Sequence, residues 1–233
     1  MNLRELTARI GLPPEIVQKL LALRDETDLA ALEPWIAQLM ERPAAARAYE
    51  ALDARLADDP GHLKMLLCQL EAARRVHGRY LEKGIPEDVF TDTMKCFTRF
   101  LGECQIRSGR MDFDRGWWTY RQTSMELFRV GALEYQLGEA DGAPVIHLHI
   151  PSDADLSGGS VDRSLALAKS FFKRYYPDYR YDRYVCKSWL LSPTLGTLLP
   201  EGSRIRAFQE RFAIGPEEES TDFFEWLFQT YAN

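Results

Sequence analysis

The chain has 233 residues, room for one large domain or two smaller ones. Hydrophobic residues make up 45% and charged residues 27%, so apolar side chains suffice for a sizeable core. A formal net charge of −6 argues against a general nucleic-acid binder, which usually presents a basic face, and no run approaches the roughly 18 apolar residues of a membrane span.

"MNLRELTARIGLPPE" is charged from Arg4 onward and lacks the apolar stretch of a secretory signal. Cys68, Cys96, Cys104 and Cys186 form no C-x-x-C pair, and His62, His77, His147 and His149 do not sit beside them. A zinc site needs clustered ligands, so no metal is expected. Scattered thiols in a chain of this length read as reduced. The expected setting is cytoplasmic, with neither a membrane nor a nucleic acid as partner.

Up to about residue 108 the sequence is helical in character. "PPEIVQKLLALRDE" opens with proline where a first helical turn tolerates it, and Ile16, Leu20 and Leu23 fall on one face. "LAALEPWIAQLMER" and "PAAARAYEALDARLADD" are rich in good helix formers. Asp59-Pro60-Gly61 breaks the run. "HLKMLLCQLEAARRVHGRYLEKG" follows, apolar at Leu63, Leu66, Leu67 and Leu70, and Gly84 closes it as a helix C-cap would. "IPEDVFTDTMKCFTRFLGEC" restarts with two acids in its first turn, which suits the helix dipole; Val89, Met94, Phe97 and Leu101 are its expected core positions. "WWTYRQTSMELF" is a further helix-like stretch.

The period then changes. "RVGALEYQL", "PVIHLHIP" and "RYVCKSWLLS" are short and apolar or aromatic, as strands are. Asp141-Gly142 between the first two is a hairpin turn signal. A helix is expected over about 161–176, a shorter one in "SRIRAFQERF", and a last strand in "FFEWLF". The expected division is a helical domain over 1–108 and a sheet-containing domain over 109–233.

The stretch "VIHLHIPSDADLSGGSVDRSLALAKSFF" reads as strand, loop and helix. Alternation puts Ile146, Leu148 and Ile150 on one face, suited to a helix layer, and Val145, His147 and His149 on the other. Pro151 cannot donate to a ladder, so pairing should lapse there. In the helix, Val161, Leu165, Ala168, Phe172 and Tyr175 make a core stripe, and Ser160 is a candidate N-cap. Gly158 and Gly159 allow close backbone approach at a helix start, where an anion such as a pyrophosphate can bind. Taken alone, the same pair more often marks a plain turn, and Asp153, Asp155 and Asp162 oppose an anion.

"LHIP" followed by "LSGGSVDRSLALA" resembles the cofactor-binding segment of the GNAT N-acyltransferase superfamily. G-G-S stands where G-x-G or G-x-A is usual, and no basic residue precedes Gly158. A closer resemblance runs over about 80–214. It is to a bacterial family that joins a helical N-acyltransferase N-terminal domain to a GNAT-like C-terminal domain. "YLEKGIPEDVFTDTMKCFTRFL", "FRVGALEYQL", "HLHIPSDADLS" and "CKSWLLSPTLGTLLPEGSRIRAFQERF" carry it, in that order. Ala132 departs from the family pattern, where a basic residue is usual. The fold implied is α+β (α/β): a helical N-terminal module packed on a GNAT-like mixed, mainly antiparallel sheet with flanking helices.

The resemblance implies acetyl-CoA or another acyl-CoA as co-substrate and a small-molecule amine or peptide as acceptor. Such chemistry needs a general base near neutral pKa and donors toward the developing oxyanion. His149 and His147 are the candidate bases, with His149 nearer the strand end; lining a sheet face is the competing reading of both. Ser188 is placed to bond the acceptor or a pantetheine amide. Ile150, Ser157, Gly158, Gly159, Ser160 and Val161 are the candidate cofactor-binding residues. Cys186 is a nucleophile candidate without a local base, which favours an inert buried thiol. Tyr120, Tyr181 and Tyr184 are candidates for protonating the leaving thiolate. Trp117-Trp118 would either wall an acceptor pocket or belong to a core. The alternative function is a non-enzymatic acyl-CoA-binding or protein-interaction module.

Overall fold

The computed structural model describes residues 1–56 and 58–215. The chain divides into two compact units, with the division at Phe128 and Arg129.

The first unit is built of helices. They are α1 (Leu3–Arg9), α2 (Pro14–Glu26), α3 (Leu29–Gln38), α4 (Ala45–Arg55), α5 (Leu63–Lys83), α6 (Glu87–Met94), α7 (Cys96–Ser108) and α8 (Gly116–Thr123). Helix α5 is the axle. Residues 65–73 are buried on every side of it, as expected of a helix surrounded by others, and it packs against α1, α2, α3, α6 and α8. Asp59 caps its start, with one carboxylate oxygen on Lys64 N–H and the other on Met65 N–H, both at 2.8 Å. Gly84 ends it in the left-handed conformation at φ 68°, where a glycine carries no steric penalty. Its buried Gln69 is matched: the amide donates to Gly116 O, and Thr119 donates to Gln69 Oε1.

The single helix expected over "IPEDVFTDTMKCFTRFLGEC" is two, α6 and α7, broken at Lys95. Met94 and Cys96 are both fully buried.

The second unit holds the sheet, in the order β1 (Leu127–Val130), β2 (Leu133–Ala140), β3 (Ala143–His149) and β4 (Tyr184–Val185), with β1 straddling the division. The strand expected over "RVGALEYQL" is thus two strands. Gly131, at φ 70°, makes the turn between them. Ser164 of helix α9 (Gly158–Tyr175) sits against that turn. Its hydroxyl donates to Val130 O at 2.5 Å, accepts from Leu133 N–H at 3.2 Å and bonds the Tyr135 hydroxyl at 2.9 Å.

Strands β2 and β3 are antiparallel, from Glu134↔His149 to Ala140↔Ala143. Asp141 and Gly142 make the two-residue turn, both with positive φ, as a type I′ hairpin requires. The aliphatic face of β3 meets α9, as its alternation predicts: Tyr135, on the same face across β2, packs on Phe172. The stripe of α9 is turned slightly from the expected one. Ser164 and Phe171 are buried, while Leu165 and Tyr175 are half-buried.

Strand β4 runs parallel to β3 for two residues, Ile146↔Tyr184 and His147↔Val185. A longer strand was expected here. Instead Ser188 caps a 3-10 turn, Trp189–Leu191, followed by α10 (Pro193–Leu198) and α11 (Arg204–Gln209). Gln209 of α11 donates to Leu190 O and Ser192 O, at 2.8 and 2.9 Å, and so holds this segment off a strand path. The strand expected at "FFEWLF" lies outside the described residues.

Candidate active site

Three features of the second unit converge around the end of β3. The first is the strand edge from which β4 departs. Ile146 N–H donates to Arg183 O at 3.2 Å, the first bond of the parallel ladder, and pairing ends at His147↔Val185. By period-two alternation the N–H of Ile150 lies on that same edge. On the other edge β3 stays paired to β2 as far as His149. A strand edge that its neighbour leaves is the kind that takes an extended, amide-bearing segment by strand addition.

The second feature is the histidine pair, on the face of β3 turned away from α9. His147 lies flat on β2. A Cβ at Gly138 would come 2.8 Å from its Nε2, and that nitrogen donates to the Glu139 carbonyl at 3.1 Å. His149 is held by a side chain: its Nε2 is 2.7 Å from Gln136 Oε1. Glu134, 2% exposed, stands opposite His149 in the β2 register. The two histidines therefore differ in kind. One is fixed to backbone within the ladder; the other stands where the parallel neighbour has departed.

The third feature is the start of α9. Ser157, not Ser160, occupies the N-cap position. Asp155 braces that residue: its carboxylate accepts from Ser157 N–H at 2.9 Å and from Ser157 Oγ at 2.8 Å. These bonds hold the Asp155 carboxyl below the usual carboxylate range. Ser160 N–H and Val161 N–H both turn back to Ser157 O at 3.0 Å. Gly158 and Gly159 then supply the outward N–H groups of the first turn.

The basic residues missing from the loop sequence arrive from the α11 region. Arg211 reaches Asp162 with Nε at 2.7 Å and Nη2 at 3.0 Å, and its Nη2 lies 3.5 Å from Gly158 O. Arg204 lies 3.6 Å from Asp155. The Arg211 bond lowers the Asp162 pKa and raises that of Arg211. Arg129 braces the loop from β1, donating to Asp153 at 2.9 Å and to Gly131 O at 2.9 Å.

The remaining sequence candidates are placed as follows. Ser188 Oγ accepts from Leu190 N–H at 3.2 Å, so its acceptor role is local. Burial pushes the Cys186 thiol up to about 12; a thiol so protonated at neutral pH is a poor nucleophile. Tyr181 and Tyr184 hydroxyls are 3.1 Å apart, and burial, then the Tyr181 bond, raise the Tyr184 pKa. Tyr120 belongs to the helical unit, stacked on Tyr49. Trp117 and Trp118 meet edge to face at 5.9 Å, with Arg121 over Trp118.

Among the described residues no cluster of His, Cys, Asp and Glu has the makings of a metal site, and no helix is long and apolar enough to cross a membrane. An open hollow of about 470 Å³ lies at α10 and α11, lined by Pro193, Gly196, Thr197, Arg206, Gln209 and Glu210. It shares no residue with the β3 edge or the α9 start, where the polar groups converge.

Sequence reasoning missed Gln136, Arg204 and Arg211. Gln136 had a usable signal: in a two-residue hairpin around Asp141-Gly142 it must pair with His147 and so stand diagonal to His149. The arginines had only the basic character of "SRIRAFQERF".

A mixed sheet whose parallel pair parts beside a strand-loop-helix unit, preceded by a helical unit, defines a GNAT-like acyltransferase fold. The profile of the N-acyltransferase N-terminal domain matches residues 1–125, and that of the GNAT-like C-terminal domain matches residues 109–233. The chain belongs to this family, in which an N-acyltransferase N-terminal domain precedes a GNAT-like C-terminal domain. Solved structures similar to it include an acyltransferase in complex with decanoyl-CoA and teicoplanin, at 23% identity and a TM-score of 0.82. Others are an acyltransferase in complex with CoA and 10C-teicoplanin and an acyltransferase mutant in complex with octanoyl-CoA, each at 22% identity and a TM-score of 0.82. In all three the likeness covers 99% of this chain and 76% of the other. At such identities it is a likeness of fold. No match was found among curated proteins.

Proposed function

We propose that the protein transfers an acyl group from acyl-CoA to a primary amine of a small-molecule or peptide acceptor, with His149 as general base. The observation that carries this is the parting of β3 from β4 after His147↔Val185, two residues before His149. In this reading the pantetheine arm lies along the open edge, its amides taking ladder bonds that β4 leaves. The pyrophosphate meets the N–H groups of Gly158 and Gly159, and Ile150 N–H donates to the thioester oxygen. The amine nitrogen attacks the carbonyl carbon and gives its proton to His149. A C–N bond forms, the C–S bond breaks, and the thiolate takes up a proton to leave as CoA.

Decanoyl-CoA and octanoyl-CoA occupy similar folds, so the donor series runs from acetyl- to decanoyl-CoA. The acceptor series includes polyamines, amino acids, aminoglycosides and glycopeptides. Calorimetry with each donor, followed by CoA release with each amine, tests the reading. Binding with amine-dependent CoA release supports it; no heat and no thermal shift at millimolar acyl-CoA refutes it. Binding without release under any amine favours a non-enzymatic acyl-CoA-binding module. The Asp155 carboxylate already seated at the α9 start is the observation on that side.

A further inference from the structure

We infer that the outward face of α9 docks an acidic protein that carries an acyl group on a phosphopantetheine arm, and so admits carrier-borne acyl thioesters as donors beside acyl-CoA. This rests on the acyl-transfer reading of the β3 edge and the α9 start.

Arg163, Leu167, Lys169, Lys173 and Arg174 of α9 are all exposed. At about 100° per residue, Arg163, Leu167 and Arg174 fall on one line along the helix, with Lys169 and Lys173 on its flank. None of these cations holds an ion pair among the described residues, whereas Arg129, Arg183, Arg204 and Arg211 of the same unit each hold a carboxylate within 3.6 Å. Arg174 lies over the Tyr175 ring at 5.3 Å. The helix dipole accounts for Lys173 and Arg174 in the last turn. It does not call for Lys169 in the middle or for Arg163 toward the N-terminal end, and Lys169 and Lys173, four apart, repel each other. A face of one charge with an exposed leucine at its centre, Leu167 at 47%, is complemented by an acidic protein surface. It has little to seat in a lipid bilayer, because the apolar side of α9 is spent on the sheet.

The place of the charge points to a carrier. At the α9 start Asp153, Asp155 and Asp162 are paired with Arg129, Arg204 and Arg211, so those charges cancel. CoA brings several phosphate charges to that point; a carrier-borne arm brings one. The surplus cations stand along the helix instead. By its rise, Arg163 lies about 8 Å from Gly158 along the axis and Arg174 about 24 Å. Past a Debye length of about 8 Å, a cation does little for a phosphate at Gly158. It does face a protein whose arm enters there.

The test uses the full chain with a decanoyl-loaded acyl carrier protein, decanoyl-CoA and S-decanoyl-pantetheine as donors. The carrier donor should bind by calorimetry, with a KM about tenfold or more below that of the free arm, the least that electrostatic steering brings, and high salt should close the gap. Lys169→Glu with Lys173→Glu should raise the KM for the carrier donor about tenfold and leave that for decanoyl-CoA unchanged. Exposed substitutions of this kind are near neutral for stability; Lys169→Gln with Arg174→Gln is the second variant if the first folds poorly. A carrier that binds no better than the free arm, or an equal loss for carrier and CoA in both variants, overturns the inference. So does binding to phosphatidylcholine–phosphatidylserine vesicles, or self-association, that the variants abolish while the carrier does not bind. Transfer from decanoyl-CoA without carrier binding overturns the inference and leaves the acyl-transfer reading standing. Carrier binding that the variants abolish, with no donor turned over by any amine, upholds the surface and defeats that reading.

Discussion

Ser164→Ala should destabilise the sheet-containing unit by about 2–4 kcal/mol, far more than a serine-to-alanine change in a helix ordinarily costs. Ser164 is fully buried. Its one oxygen serves Val130 O, Leu133 N–H and the Tyr135 hydroxyl. Removing it orphans a backbone donor, a carbonyl and a phenol together. Each such buried group costs about 1–3 kcal/mol, and the space of a single oxygen atom is too small to admit a bridging water. Alanine recovers only about 0.5 kcal/mol through its better helix propensity. For a domain of 150–250 residues each kcal/mol moves Tm by about 2–4 °C, so a fall of roughly 5–15 °C is expected. Ser170→Ala is the internal control. It lies on the exposed side of the same helix and its hydroxyl bonds only Ala166 O within that helix, so it should be neutral within about 0.5 kcal/mol. Urea unfolding followed by circular dichroism measures both. If the two variants unfold at the same midpoint, Ser164 is not the pin between the β1–β2 turn and α9.

His149→Gln keeps size and hydrogen bonding but removes a base that works near neutral pH; turnover should fall about 100- to 10,000-fold, with acyl-CoA affinity by calorimetry little changed, and His147→Gln should cost much less. Asp155→Asn should lower Tm at pH 7 but not in acid. The Asp155 pKa is held below its ordinary 3.8 by the Ser157 bonds, so the native carboxylate stabilises above that value and loses its contribution as pH falls through the lowered one. A Tm gap that stays the same from neutral pH into strong acid would contradict this. Cys68 and Cys186, both pushed up to about 12 by burial, should be only about one part in ten thousand thiolate at pH 8. Iodoacetamide should therefore label them far more slowly in the native protein than in urea, as followed by peptide mass spectrometry.

Much of the architecture is local and was legible in the residues themselves. The span of α5 follows from its apolar residues and its closing Gly84. The β2–β3 hairpin follows from Asp141-Gly142, because few residue pairs accept positive φ twice in succession. That hairpin fixes the β2–β3 register, and with it the faces on which His147 and His149 stand. Pro151 marks the strand end for an equally local reason. The family resemblance placed an acyl-CoA reading on the same segment.

What the sequence left open depends on groups far apart in the chain. Beyond β4, Gln209 holds Leu190 and Ser192 in a 3-10 turn and a helix start, and no periodicity within "RYVCKSWLLS" reports that tether. The N-cap of α9 is Ser157, braced by Asp155, rather than Ser160, and its arginines come from some fifty residues downstream. The difference between the two histidines is likewise tertiary. Both are two-apart residues on one strand face, and sequence treats them alike. Only the pairing of β3 on both edges shows that His147 rests against the β2 backbone, while His149 meets a side-chain oxygen beside an edge its neighbour has left. Side-chain direction and turn chemistry act over a few residues, so sequence carries them. Which strand edge stays unpaired depends on where the rest of the chain is held, and that is decided only when the fold closes.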